Sequence, residues 1–187
     1  MRRGEEQAIV PAGILVRTAT GADASLLAEL GAETFRASFG AYSSPEDMAA
    51  YLAASFRPEV QAAELADGAS LFLIAAVAGE AVGYARLRLG SPPEVVRGRS
   101  PMEIVRFYSR KDWIGRGVGR ALMRACLEAA EHLGCDRIWL GVWERNQRAI
   151  SFYRKWGFAQ AGTKTFRLGN EVSTDWVMER SVEGGAK

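Results

Sequence analysis

Histidine and cysteine are scarce in this chain: His132, Cys126 and Cys135 are all that its 187 residues carry. The scarcity removes several chemistries. The two thiols form no CxxC pair and stand beside no histidine cluster, so no zinc site can be assembled from them and one imidazole. No serine or cysteine motif accompanies His132, which argues against a histidine-based nucleophilic triad. His132 falls in "EHLG", the expected end of a helix, where an imidazolium suits the helix dipole. The thiols read as reduced and partly buried, as in a reducing compartment. Excess charge is also missing. A net charge of +2 gives no bulk electrostatic case for nucleic acid or a membrane surface, so any anion site has to be local. Long apolar runs are absent too: nothing approaches the roughly 18 consecutive apolar residues of a membrane span. The opening "MRRGEEQAIVPAGILV" is interrupted by Glu5, Glu6 and Pro11 and has no signal-peptide core. Residues 1–11 are expected to be a flexible arm and 183–187 a tail, around a domain at 12–182, with a cytoplasmic location.

What is present is the composition of a soluble globular protein, 48% hydrophobic and 25% charged, in a length that suits one domain. "GILVRTAT" reads as a strand, with Thr20 and Asp23 forming a short-armed capping box for the next helix. That helix carries Leu26, Leu27, Leu30, Phe35 and Phe39 to a core, and Gly31 is expected to bend it. "SSPEDMAAYLAASF" opens with Ser44 as N-cap and Pro45 in the first helical position, and its apolar residues follow helical spacing. "PEVQAAELAD" is a third, short helix. "SLFLIAAVAGEAVGYARLRLG" reads as two strands joined at Gly79-Glu80 by a type II′ turn. After a proline-marked loop, "MEIVRFYS" is a strand. A helix then runs to Leu133 with Val118, Leu122, Ala125, Cys126, Ala129 and Leu133 on one face, and Gly134 ends it. "RIWLGVW" is apolar enough to be buried on both sides. Strand, helix and buried strand make a parallel βαβ unit. "NQRAISFYRKWGF" is a helix stopped by Gly157. "FAQAGT" and "STDWVMER" close the sheet through a turn at "LGNE". The expected fold is a single α/β domain with a mixed, mostly antiparallel sheet, a central parallel βαβ unit and flanking helices.

"WIGRGVGRALMR", residues 113–124, poses a question, because it puts Arg116, Arg120 and Arg124 around a helix N-terminus that is already positive. Each such cation is disfavoured by about 0.3–1 kcal/mol. Three nucleotide readings compete for the glycines. The NTPase phosphate loop needs GxxxxGK[ST], which does not occur. The dinucleotide fingerprint needs GxGxxG directly after a strand; Gly115, Gly117 and Gly119 give GxGxG after a five-residue gap, and only Glu144 at the end of the following strand supports it. The third reading is a pyrophosphate held by backbone N–H groups at the helix start. The arginines then become partners of the same anion. The plain alternative is a solvated helix face after a glycine turn.

The stretches "WIGRGVGRALM" and "RIWLGVWERNQRAISFYRKWGF" resemble the GNAT superfamily of N-acetyltransferases. The resemblance implies acetyl-CoA as co-substrate, no metal, and a Q/R-x-x-G-x-G/A loop matched here by residues 114–119, with Ile114 in place of the family's Gln or Arg. An N-x-x-A-x-x-F-Y-x-x-x-G-F signature is complete in Asn146, Ala149, Phe152, Tyr153, Gly157 and Phe158. "ETFRASF", "SSPEDMAAYL", "LGVWERN" and "TDWVM" look like the PaiA-like polyamine acetyltransferases, which implies spermidine or spermine as acceptor. The family further implies cofactor contacts from the backbone of Phe107, Tyr108 and Ser109 and from Gly115, Arg116, Gly117, Val118, Gly119 and Arg120.

Acetyl transfer to an amine needs a cofactor cradle, a neutral amine, a stabilised oxyanion and a protonated leaving thiolate. Backbone N–H near Phe107 would serve the oxyanion. Tyr153 is the expected general acid, since a phenol keeps its proton at pH 7; the alternative is a core tyrosine. Asn146 either caps its helix or binds the pantetheine. An aliphatic ammonium must lose a proton, and Glu103, at the start of the strand leading to the loop, is the expected base, with an ordinary strand carboxylate as the alternative. Glu33 and Glu144 are expected to bind the acceptor, and Glu171 and Asp175 are further acids able to face a polycation. A small-molecule amine is the expected partner, without nucleic acid or membrane, and a homodimer is left open. The rival classes are an acetyltransferase for another small or protein amine, a nicotinamide or flavin oxidoreductase resting on the glycines and Glu144, and a non-catalytic acetyl-CoA sensor.

Overall fold

The computed structural model describes residues 13–90, 92–169 and 171–182; the arm at 1–11 and the tail at 183–187 lie outside the described residues. Among the described residues seven strands form one sheet: β1 (Ile14–Thr18), β2 (Ser70–Val77), β3 (Glu80–Leu89), β4 (Pro101–Ser109), β5 (Arg137–Trp143), β6 (Ala159–Leu168) and β7 (Glu171–Ser181), in the order β1-β2-β3-β4-β5-β7-β6. Only β4 and β5 run parallel. Alternation along each strand sends side chains to two cores. Leu73, Ala75, Ala85, Leu87, Ile104, Leu140 and Met178 pack under α4 (Val118–His132) and α5 (Gln147–Lys155). On the opposite face Phe72, Ile74 and Tyr84 meet α1 (Ala24–Phe39), while α2 (Pro45–Ser55) packs with Phe35, Phe56 and Leu168. The short α3 (Pro58–Ala66) completes that layer. Among the described residues no helix is long and apolar enough to cross a membrane.

Local signals hold where the chain itself carries them. Ser44 accepts from the Asp47 N–H at 3.0 Å and Pro45 opens α2. Gly134, at φ +70°, ends α4. Other expectations change. The β2–β3 turn is Ala78-Gly79, not Gly79-Glu80, because Val77 pairs with Glu80; both turn residues have positive φ, +49° and +86°, so the turn is type I′, not II′. α1 runs continuously through Gly31, whose missing side chain makes room for the Phe56 ring, which a Cβ would strike. Leu133 leaves the buried face and is 49% exposed, because the chain turns into the Gly134 cap there. Cys126 and Cys135 are both fully buried rather than partly so.

One irregularity positions everything that follows. Arg86 pairs with Arg106, but Leu87 pairs with Ile104, so Val105 is an extra residue in β4. Beyond this bulge the parity of β4 reverses: Ile104 and Phe107 face α4 and α5, whereas Glu103, Arg106 and Tyr108 face α1–α3. The parallel pairing of β4 with β5 ends at Ile104 and Leu140.

Candidate active site

Past the bulge the two parallel strands part, and a cavity of about 1360 Å³ occupies the gap. Its walls come from both faces of the sheet. Phe107, Phe152 and Tyr153 belong to the α4–α5 side, while Glu103, Tyr51, Trp143, Lys164 and Asp175 belong to the other. The cavity therefore runs through the sheet, so two molecules entering from opposite faces can meet inside it. Among the described residues the β5-facing backbone edge of β4 beyond Ile104 has no strand partner, which leaves Phe107, Tyr108 and Ser109 to pair with an extended ligand.

The α4–α5 side is built for an anion. Gly115 and Gly117 take left-handed backbone, φ +80° and +92°, which a side chain would strain. Gly117 caps α4 and its carbonyl accepts from Ala121 at 3.0 Å. A helix start leaves its first amides without an intrahelical acceptor, and those of Val118 and Gly119 fall here. No acidic residue lies in the first turn. Arg120, Arg124, Arg145, Arg148 and Lys155 line this half. A polyanion fits this donor set, and a pyrophosphate with a further phosphate fits its number of cations. Of the expected cradle residues, Val118 has its side chain fully buried against Gly83 and can offer only backbone. Arg116 does not line the cavity; its guanidinium lies over the Trp113 ring at 5.6 Å. Asn146 caps α5 by accepting from the Ala149 N–H at 3.2 Å, and it also borders the cavity. Tyr153 reaches the cavity from a cage of Phe107, Phe152 and Phe158, and burial pushes its phenol well above the ordinary value. It is therefore protonated at neutral pH and able to donate.

The opposite side is aromatic and acidic. Phe35 stacks on Tyr51 at 4.4 Å, and Tyr42 meets Trp143 edge-on at 4.7 Å. Glu103, Glu144, Glu171 and Asp175 line the cavity. Glu103 is buried, and its carboxylate accepts from Arg88 at 2.6 Å with Lys164 Nζ at 3.8 Å. Glu103 is thus held between two cations. Glu33 stands outside the cavity, half exposed, and pairs with Arg110 at 3.1 Å. Burial raises Asp175 from its ordinary value; Lys164 opposes that shift and Glu144 adds to it.

The profile of the "Acetyltransferase (GNAT) family" matches residues 31–158. The chain belongs to the GNAT acetyltransferase family. It is an N-acetyltransferase, an acyltransferase that uses acetyl-CoA, and the anion half described above suits that co-substrate. Relatives agree. An uncharacterized N-acetyltransferase of Mycobacterium bovis is 37% identical over 160 residues, 86% of this chain and 98% of that protein. A spermine/spermidine N(1)-acetyltransferase of Bacillus subtilis is 29% identical over 89 residues, 47% of this chain and 59% of that protein. The PaiA N-acetyltransferase of Thermoplasma acidophilum, solved with coenzyme A, superposes with a TM-score of 0.71 at 20% identity, covering 90% of this chain and 98% of that one, which shows the same fold.

Sequence reasoning missed several residues of this GNAT site. Lys164, Tyr51 and Trp143, which line its aromatic and acidic half, carry no sequence motif that singles them out. One signal was available: Gly141 interrupts the otherwise apolar run of β5, and a glycine inside a buried strand marks a close approach. A Cβ on Gly141 would collide with Lys164 and come within 3.4 Å of Asp175 Oδ2.

Proposed function

We propose that this GNAT enzyme transfers the acetyl group of acetyl-CoA to a primary amine of the polyamine class, such as spermidine or spermine, by direct attack of the amine on the thioester. The observation that carries the reading is the cavity through the sheet, with arginines on one face and four carboxylates among aromatic rings on the other. Carboxylates and ring faces both attract ammonium groups. The name of the Bacillus subtilis relative supports the same acceptor class.

The roles follow from position. The amides of residues 117–119 and Arg120 hold the phosphates, and the free edge of β4 at Phe107, Tyr108 and Ser109 holds the extended arm. Tyr153 donates its proton to the departing sulfur. Deprotonation of the acceptor falls to a carboxylate of the acidic side, Glu103 or Asp175. The two buried free thiols fit a cytoplasmic location. The test is release of the coenzyme A thiol with acetyl-CoA and a panel of polyamines, monoamines, amino acids and lysine peptides. Spermidine or spermine should exceed a monoamine of equal chain length by about tenfold in kcat/KM, the value of one extra charged contact. Thiol release with amino acids or peptides alone moves the acceptor to another amine class. Binding of acetyl-CoA without release for any amine makes the protein a sensor.

A further inference from the structure

Three side chains from three strands converge where β4 and β5 begin to separate. Leu140 is the last β5 residue paired with β4, and Gly141 follows it at the mouth of the gap. Gly141 has no side chain, and its place is taken by others. The position its Cβ would occupy lies 2.7 Å from Lys164 Nζ and 3.4 Å from Asp175 Oδ2. Lys164 on β6 and Asp175 on β7 are cross-strand partners, so both side chains stand on the acceptor face. Lys164 reaches on across β5, over the Trp139 ring at 5.3 Å, to Glu103 Oε1 at 3.8 Å. Glu103 is held from its other side by Arg88. The two carboxylates thus differ in kind. Glu103 is a fixed counter-ion between two cations, whereas Asp175 shares one lysine.

We propose that Asp175, brought to the mouth of the β4–β5 gap by the absent side chain of Gly141, accepts the proton of the acceptor ammonium, and that Lys164 positions it. The inference rests on the acetyl-transfer reading and deepens it. One ammonium proton moves to an Asp175 carboxylate oxygen. The freed nitrogen lone pair forms the N–C bond as the C–S bond breaks. The sulfur takes the Tyr153 proton, and the second amine proton, lost from the new amide nitrogen, restores Tyr153 through solvent. Asp175 then releases its proton, so each turnover delivers one proton to the medium.

The groups facing Asp175 make the proposal sharp, because they act with opposite signs. Lys164 from β6 favours its anion. Glu144, from the loop after β5, disfavours it. Tyr51 from α2 is the nearby neutral phenol, itself raised by burial and in part by Asp175. Glu103 from β4 acts only through its hold on Lys164.

The experiment is the pH profile of kcat/KM with acetyl-CoA and the best amine of the panel. Asp175→Asn should lower activity at pH 7 by roughly 100-fold, the usual worth of a general base, and recover as the pH approaches the pKa of the amine. Acetyl-CoA affinity should stay at the wild-type value. Lys164→Met should move the acidic limb to higher pH, and Glu144→Gln should move it lower. Glu103→Gln should also move it lower, because Lys164 is released to Asp175; a move to higher pH would make Glu103 the base and overturn the proposal. An Asp175→Asn profile that overlays the wild type overturns it as well. A readout independent of turnover is the 13C titration of the Asp175 carboxyl group in the wild type and the two neighbour variants, which must shift up with Lys164→Met and down with Glu144→Gln; no shift refutes the coupling. A wild type that binds acetyl-CoA but acetylates no amine fails the acetyl-transfer reading itself, whereas turnover insensitive to Asp175 fails only this inference.

Discussion

Replacing Glu64 by glutamine should damage the fold out of proportion to its size. Glu64 lies on α3, and its two oxygens hold two arginines at once: Arg86 Nη1 at 2.5 Å, and Arg106 through Nη1 at 2.5 Å and Nη2 at 3.0 Å. Arg86 and Arg106 are direct partners on β3 and β4, so two positive charges stand side by side on a covered face. Their side chains are 8% and 11% exposed. At close range and an effective dielectric near 20, each guanidinium attracts the carboxylate by about 4 kcal/mol before desolvation is counted. Removing one member of such a buried group usually costs about 3–5 kcal/mol, because the remaining charges stay buried. Residual exposure of Glu64 offsets part of this, and the amide nitrogen of glutamine adds a donor facing a donor. We expect a loss of about 3 kcal/mol, or about 6–12 °C in Tm for a chain of this size. The functional effect should be selective. The Arg106 guanidinium lies over the Phe56 ring at 4.9 Å, and Phe56 and Tyr51 line the acceptor half. KM for the amine should rise while acetyl-CoA affinity holds. Urea unfolding of Glu64→Gln, alone and combined with Arg86→Met, measures the coupling. A loss below about 1 kcal/mol, or an equal loss in both backgrounds, would refute the bridging role.

Three further outcomes are expected. Tyr153→Phe should lower kcat by roughly 10- to 1000-fold with acetyl-CoA binding nearly unchanged, as for a proton donor that acts in the transition state; unchanged turnover in a folded variant removes Tyr153 from the mechanism. Arg120→Ala should weaken acetyl-CoA binding by about 1.5–3 kcal/mol, the range for a hydrogen bond to a charged group, whereas Arg116→Ala, stacked on Trp113, should cost under about 0.5 kcal/mol. Titration calorimetry that finds equal losses would return Arg116 to the cradle. Ala78→Asn should stabilise the fold by about 0.5 kcal/mol, because the exposed Ala78 sits at φ +49° where asparagine is better tolerated; thermal unfolding with no gain contradicts the type I′ turn.

The sequence by itself determined whatever depends on near neighbours along the chain. Ser44 before Pro45 starts α2, Gly134 ends α4, and Gly115 and Gly117 turn the backbone into the helix start, because caps and φ angles are settled within a few residues. The run from Asn146 to Phe158 was legible for the same reason: α5 sets its residues on one face by spacing alone, which brings Tyr153 to the cavity. The apolar run "RIWLGVW" announced β5 as a strand buried on both sides, and the family was readable from its motifs.

What only the tertiary structure decided is which side chains meet. The extra residue at Val105 reverses the faces of β4, and no propensity in "MEIVRFYS" announces a bulge. That single shift sends Phe107 to the α4–α5 face and Tyr108 to the other, gives the cavity its two chemical halves, and stops β4 from following β5. Glu103, Lys164 and Asp175 lie 61 and 11 residues apart in sequence, yet register and a missing Cβ at Gly141 bring them to one place. Glu33 carries the same charge as Glu103 but falls outside, paired with Arg110. A carboxylate becomes a base, a counter-ion or plain surface through the cations and burial around it, and those are supplied by strands that are distant in the chain.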